Sequence, residues 1–160
     1  RWSLDIKPSP NLRSDLSIAL YPSLCLLEAT DVTVGRGTEG PFERYGHPDF
    51  PDTLKFSFTP EPDFGDKDPK HKGEVCYGYS FDQDEFYRAD QIDLQPLMNA
   101  YKLLNGDLFR GKSKRMFYLL CGTDELLKQL EQGLSEEEIR ATWQSGLQSF
   151  LDMRKQYLLY

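Results

Sequence analysis

The eight residues Glu74–Phe81, EVCYGYSF, decide the class of fold. Val75, Tyr77, Tyr79 and Phe81 recur at every second position, the period that puts alternate side chains on opposite faces of a strand. Cys76 and Gly78 fall on the other face, where a glycine permits close packing. Upstream, Leu54–Thr59 (LKFSFT) alternates Leu54, Phe56 and Phe58 with polar residues and reads as a second, half-buried strand. Between the two, Pro60–Gly73 carries four carboxylates, three lysines and His71, the composition of a solvated loop.

Downstream the period becomes helical. Leu94, Leu97, Met98, Tyr101 and Leu104 share one face, with Asp93 as N-cap and Asn105-Gly106 as stop. Lys112–Arg115 is a short basic cluster, and Met116–Leu120 behind it is an apolar run of strand or loop character. Thr123 caps a helix over Asp124–Gln132 that Gly133 ends. Ser135 and Glu138 form a capping box for Glu136–Trp143. Ser145 opens a last helix with Leu147, Phe150, Leu151 and Arg154 on one face, and the apolar tail Tyr157–Tyr160 is expected to pack down.

At the other end, Pro8 and Pro10 make Trp2–Asn11 an extended, linker-like lead-in. Ser14-Asp15 start a short helix through Leu20 that Tyr21-Pro22 ends, and Leu24–Leu27 is too short to assign by period. Three prolines argue against regular structure over Pro41–Asp52. The order is short helix, loops, two or three strands, then three or four helices. It predicts one α+β domain over residues 1–160, with a small, mainly antiparallel sheet and helices gathered in the C-terminal half.

Composition narrows the function. The 160 residues suit one domain, and 39% hydrophobic with 13% aromatic residues supply a core. Nineteen basic against 26 acidic residues give a net charge of −7, which argues against nucleic acid as a partner. No apolar run approaches the roughly 20 residues that span a bilayer, and no signal peptide is visible. The chain begins with Arg1 and not methionine, so a processed or excised piece is expected. Cys25, Cys76 and Cys121 lack the spacing of a zinc site, and Cys25 and Cys76 are expected as buried thiols. No metal or cofactor is expected.

The chemistry concentrates in Glu28–Thr38, EATDVTVGRGT. Gly35 and Gly37 bracket Arg36, whose planar fork of donors fits a carboxylate or phosphate. Thr30, Thr33 and Thr38 offer short hydroxyls, and Glu28 and Asp31 offer acceptors. Two readings stay open: a ligand loop with Arg36 aimed at an anion, or a glycine turn whose arginine pairs with a neighbouring carboxylate. Asn11 either caps the helix that follows or presents its amide to a ligand. Nucleotide fingerprints and a nucleophile elbow are absent from the sequence, and His47 and His71 suggest no Ser/His/Asp set. Glycoside hydrolysis needs two carboxyl groups across a cleft. Glu28, at the end of an apolar run where desolvation raises a carboxyl pKa, is the best local candidate, and no second stands out. From composition and spacing, the chain reads as a binding half of something rather than as a whole enzyme.

Taken together, the motifs KPSPNL (Lys7–Leu12), LYPSLCLLEATDVTVGRGT (Leu20–Thr38), Pro41-Phe42 and FSFTP carry a resemblance. So do PKHKGEVCYG (Pro69–Gly78), GTDEL (Gly122–Leu126), SEEEI (Ser135–Ile139), Trp143-Gln144 and RKQYLLY (Arg154–Tyr160). In order and along essentially the whole chain, they resemble the C-terminal part of the bacterial exo-β-N-acetylmuramidase (NamZ-like) family. The resemblance implies a two-domain hydrolase in which a Rossmann-like N-terminal domain, absent here, carries the catalytic glutamate. This chain would be the auxiliary domain that completes the cleft. The family releases N-acetylmuramic acid from the non-reducing end of peptidoglycan fragments, which implies a periplasmic or secreted bacterial protein. Arg36 is then expected to meet the lactyl carboxylate of muramic acid, and Asn11, Glu28, Thr30 and Thr38 its hydroxyls or acetamido group. Two other readings are an isolated carbohydrate-binding module and a purely structural packing domain. The chain departs from the family at Ala29, where glycine is usual, and at Cys121, where alanine is usual.

Overall fold

The structure is a computed structural model that describes residues 5–82 and 91–159. The chain divides into two compact units, Arg1–Thr123 and Asp124–Tyr160. Among the described residues, five α-helices and a three-stranded antiparallel sheet give an α+β fold with most helices in the C-terminal half, as the sequence predicts. Trp2 of the lead-in and Tyr160 of the tail lie outside the described residues.

Helix α1, Asp15–Glu28, opens the first unit. Ser14 caps it, accepting from Ser17 N at 3.0 Å while Ser17 Oγ accepts from Ser14 N at 3.1 Å. The helix does not stop at Tyr21-Pro22 but runs through Pro22 to Glu28, a correction to the sequence reading. Proline in a helix interior costs about 3 kcal/mol. Against that, Leu16, Leu20, Leu24 and Leu27 form one buried stripe, each contributing on the order of 1.5–3 kcal/mol. Burial wins, and it carries Glu28 to the helix end.

The sheet has strand order β1-β3-β2, with β1 at Arg44–His47, β2 at Phe56–Phe58 and β3 at Cys76–Ser80. Both pairings are antiparallel, with Gly46 opposite Gly78 in one and Phe58 opposite Cys76 in the other. Strand β1 corrects the expectation of irregular structure over Pro41–Asp52. Its four residues fit between Pro41 and Pro48, so the prolines flank the ladder and interrupt no bond in it. The Gly46/Gly78 pair is sterically required. A Cβ on Gly78 would lie 2.0 Å from the Tyr45 carbonyl oxygen, and one on Gly46 would lie 2.5 Å from that of Tyr77. On its other side, Gly46 exchanges both backbone hydrogen bonds with Thr33 at 3.0 Å each, which ties the glycine loop to the sheet.

Helix α2, Gln95–Leu103, packs on α1 and buries Leu97 and Ala100. Its N-cap residue is Leu94, but the Asp93 carboxylate still accepts from Gln95 N at 2.8 Å. The stop is as predicted, with Asn105 and Gly106 both at positive φ. Met116–Leu120 belongs to a helix, α3 (Arg115–Cys121), and not to a strand or loop. Its consecutive apolar residues gave no period to read; Phe117 is the residue that α3 buries, and Gly122 at φ 71° ends it.

The second unit holds α4, Glu125–Glu131, and α5, Glu136–Arg154. Helix α4 begins after Asp124, one residue beyond the predicted cap Thr123. The Ser135/Glu138 capping box is present. The two helices expected over 136–154 are one, because Ser145-Gly146 does not break it; Gly146 costs roughly 1 kcal/mol relative to alanine, too little to end 19 residues of helix. A short 3-10 turn, Lys155–Tyr157, follows. The tail does not pack down: Tyr157, Leu158 and Leu159 are exposed.

Candidate functional site

The loop after α1 is held by its own hydroxyls. Thr30 donates to the Leu27 carbonyl at 2.8 Å and accepts from Val32 N at 3.1 Å. Thr38 donates to the Gly35 carbonyl at 2.7 Å and accepts from Gly40 N at 3.2 Å. Thr33 accepts from Gly35 N at 3.3 Å. Gly35 and Gly37 sit at φ 75° and 77°, where a side chain is strained. A Cβ on Gly37 would also lie 2.5 Å from the Glu61 carbonyl oxygen. Thr30 and Thr38 therefore shape the loop, and Thr30 is itself fully buried.

This rigid turn presents Arg36. Its Nε donates to Glu28 Oε1 at 3.0 Å, and its Nη2 donates to the same oxygen. The guanidinium lies 5.3 Å from the ring centroid of Phe42, and Tyr21 tilts against Phe42 at 5.1 Å. The Arg36 side chain remains 33% exposed, so the pair is internal but not sealed. An ion pair this open contributes at most about 1 kcal/mol to stability. Burial, and then the Glu28 and Cys25 charges, push the Tyr21 phenol above its usual pKa while Arg36 opposes them, so these four side chains share one neighbourhood.

Beneath the turn, Lys70 reaches in from the segment read as a solvated loop, which is a correction. Its Nζ donates to the carbonyls of Glu28 at 2.8 Å, Thr30 at 2.7 Å and Val32 at 3.2 Å. Three donors meet three acceptors at the C-terminal end of α1, where unpaired carbonyls and the helix dipole favour a cation. Burial pushes the Lys70 pKa down to about 8, which still leaves the ammonium protonated at neutral pH.

Asp31 is a second hub. Its Oδ1 accepts from Lys112 and its Oδ2 from His47 Nε2 at 3.2 Å, while its carbonyl accepts from His71 Nε2 at 2.6 Å. His47 Nδ1 accepts from Asp49 N at 3.0 Å, so its proton sits on Nε2, facing Asp31. Asp31, His47 and His71 place ligand-type atoms within 4.8 Å of one another. However, both imidazoles present N–H groups to Asp31, and Lys112 already neutralises its carboxylate. The cluster is a hydrogen-bonded brace.

The structure thus brings Glu28, Arg36 and the carbonyls around Lys70 together, and sets Asn11 apart. Asn11 is buried, and its Nδ2 donates to the Gly65 carbonyl at 2.9 Å. The α1 cap is Ser14 and not Asn11. Beside Asn11, Arg13 donates to the Pro10 and Thr38 carbonyls at 2.8 and 2.9 Å and pairs with Asp63, joining that loop to the end of the glycine turn. Residue-by-residue reading missed Tyr21, and Lys70 and Lys112 as braces; Phe42, in a loop whose aromatics could wall a pocket or cover the core edge, is buried and lies against both Tyr21 and Arg36. In a stretch as charged as DKDPKHK, nothing local marks the one lysine that turns inward.

The α+β architecture thus mounts a polar, arginine-bearing turn at the end of a largely buried helix. Residues 19–160 match the family model described as exo-beta-N-acetylmuramidase NamZ, C-terminal, and the chain belongs to that family. Over 168 aligned positions it is 32% identical to the peptidoglycan beta-N-acetylmuramidase NamZ of Bacillus subtilis (strain 168), a match that covers 97% of this chain and 40% of that protein. A crystal structure of a DUF1343 family protein from Bacteroides fragilis superposes with a TM-score of 0.89 at 40% identity, covering 99% of this chain and 45% of that one. A second DUF1343 protein of the same organism shares the fold, with a TM-score of 0.73 at 20% identity over 100% of this chain and 45% of its own. The chain thus spans less than half the length of these relatives. No helix among the described residues is long and apolar enough to cross a membrane.

Proposed function

We propose that this chain is the substrate-binding, cleft-completing portion of an exo-β-N-acetylmuramidase, and that Arg36 anchors the lactyl carboxylate of a terminal muramic acid. One observation carries the reading. Glu28 takes the Nε/Nη2 side of the Arg36 guanidinium through a single oxygen, and among the described residues nothing accepts from Nη1. The Nη1/Nη2 edge is therefore the fork left for a second carboxylate. Glu28 fixes the orientation of that fork, the Phe42 ring lies against it, and the buried Lys70 ammonium adds positive charge beneath the turn in a chain whose net charge is −7. Thr30, Thr38 and Asn11 act by holding backbone in place.

Catalysis is assigned to a carboxylate outside this chain, with Glu28 orienting Arg36. The same reading puts the protein where peptidoglycan fragments are met, in the periplasm or outside the cell. A purely structural role is favoured by the internal Glu28–Arg36 pair itself, and hydrolysis of a chromogenic N-acetylmuramic acid glycoside separates the two. The assay compares this chain alone, the chain with its preceding domain restored, and the restored protein carrying Arg36→Ala. Activity confined to the restored protein, with KM raised roughly 10- to 100-fold in the variant, supports the proposal, because a hydrogen bond to a charged group contributes about 1.5–3 kcal/mol. An unchanged KM would leave Arg36 a loop brace.

A further inference from the structure

Helix α5 is longer than what covers it. Its apolar stripe starts at Ile139, which is 0% exposed, and continues through Trp143, Leu147, Phe150 and Leu151 to Leu158 beyond the helix end. Helix α4 lies against the first part, where Gln129 Nε2 reaches Thr142 Oγ1 at 3.1 Å. At 1.5 Å per residue, seven residues of α4 extend about 10 Å and nineteen residues of α5 about 28 Å. The rest of the stripe is bare. Leu147 is 47% exposed, Phe150 52% and Leu151 44%, and Met153, Tyr157, Leu158 and Leu159 are exposed beside them. Exposed apolar side chains gathered on one helix face in this way mark an interface.

We infer that the C-terminal half of α5 with Tyr157–Leu159 is a docking face for the part of the polypeptide that precedes this chain in its relatives. The matched family model is a C-terminal one, and this chain accounts for 40–45% of the relatives' length. More than half of each relative therefore lies outside the matched segment, enough for a domain of its own. The face calls for an apolar partner surface with an acceptor opposite Arg154, the cation in the middle of the stripe. This inference rests on chain length and exposure, not on what Arg36 binds.

Hydroxyl-radical footprinting tests it, applied to this chain and to the polypeptide with its preceding part restored. The expected result is that Leu147, Phe150 and Tyr157 are modified about tenfold more slowly in the longer polypeptide, which stays monomeric by light scattering. Equal modification in the two overturns the inference. So does shielding that rises with protein concentration, which would make a second copy the occupant. Leu147→Asp/Phe150→Asp gives a second readout. It should leave the Tm of this chain unchanged and lower that of the longer polypeptide by several degrees; equal changes in both would contradict the docking face. Footprinting reads docking and glycoside kinetics read sugar binding, so either idea can fail alone.

Discussion

Lys70 Nζ donates to the carbonyl oxygen of Glu28 at 2.8 Å, while the carboxylate of the same Glu28 holds Arg36. One residue at the end of α1 is thus gripped from both ends. The backbone grip fixes where the helix stops, and the side-chain grip fixes how the guanidinium is turned.

Removing the ammonium exposes what it does for the loop. Lys70→Met leaves the Glu28, Thr30 and Val32 carbonyls without their shared donor. With each unsatisfied buried group costing about 1–3 kcal/mol and some relaxation allowed, we expect a loss of about 2–4 kcal/mol, read as a lower urea midpoint. An unchanged midpoint would mean that the three bonds are replaceable by water.

The glycine pair at the centre of the sheet is expected to tolerate no side chain. Gly78→Ala drives a methyl group into the Tyr45 carbonyl, a backbone atom that cannot swing away. A loss of at least about 2 kcal/mol is expected in denaturant unfolding, in the upper part of the range for overpacking. A neutral substitution would contradict the β1–β3 register.

Gly146 offers the opposite case. It lies inside α5, and a Cβ there meets nothing within 4 Å. Gly146→Ala should therefore stabilise the chain by about 0.5–1 kcal/mol, seen as a raised Tm. Destabilisation would argue against a continuous α5.

Acid should weaken the fold in two steps. Burial holds His47 below its usual 6.5 despite the hydrogen bond to Asp31. As pH falls below 6.5 the unfolded chain takes up that proton before the native one does, so stability drops. Burial raises the Asp31 carboxyl, but hydrogen bonds from Lys112 and His47 outweigh it and hold it below its usual 3.8. Below pH 3.8 the unfolded state again binds more protons, and stability drops further. Urea midpoints measured from pH 7 to pH 3 check the sign, and His47→Asn should flatten the upper part of the curve. A midpoint constant or rising between pH 6.5 and 5 would contradict the brace.

Local chemistry made some elements legible. The alternation of Phe56, Phe58, Tyr77 and Tyr79 gave β2 and β3, and the Ser135/Glu138 box and Asn105-Gly106 gave helix ends. The rest depended on partners distant in sequence. Strand β1 exists because Gly46 fits between Thr33 and Gly78, which no window around Pro41–Asp52 contains. Helix α1 survives Pro22 because Leu24 and Leu27 are buried on the stripe of Leu16 and Leu20. In the site, the glycines announced a tight turn around Arg36, but the inward lysine and the Phe42 platform needed three dimensions.

The central claim is that Arg36 reads a carboxylate on the sugar, and one comparison tests it most directly. KM is measured for N-acetylmuramic acid and N-acetylglucosamine glycosides, which differ in the lactyl group, using the longer polypeptide with Arg36 and with Arg36→Ala. Binding through Arg36 predicts a preference for the muramic acid glycoside that collapses toward unity in the variant, through KM more than kcat. A preference that survives Arg36→Ala intact would contradict the assignment and leave the Glu28–Arg36 pair as structure alone.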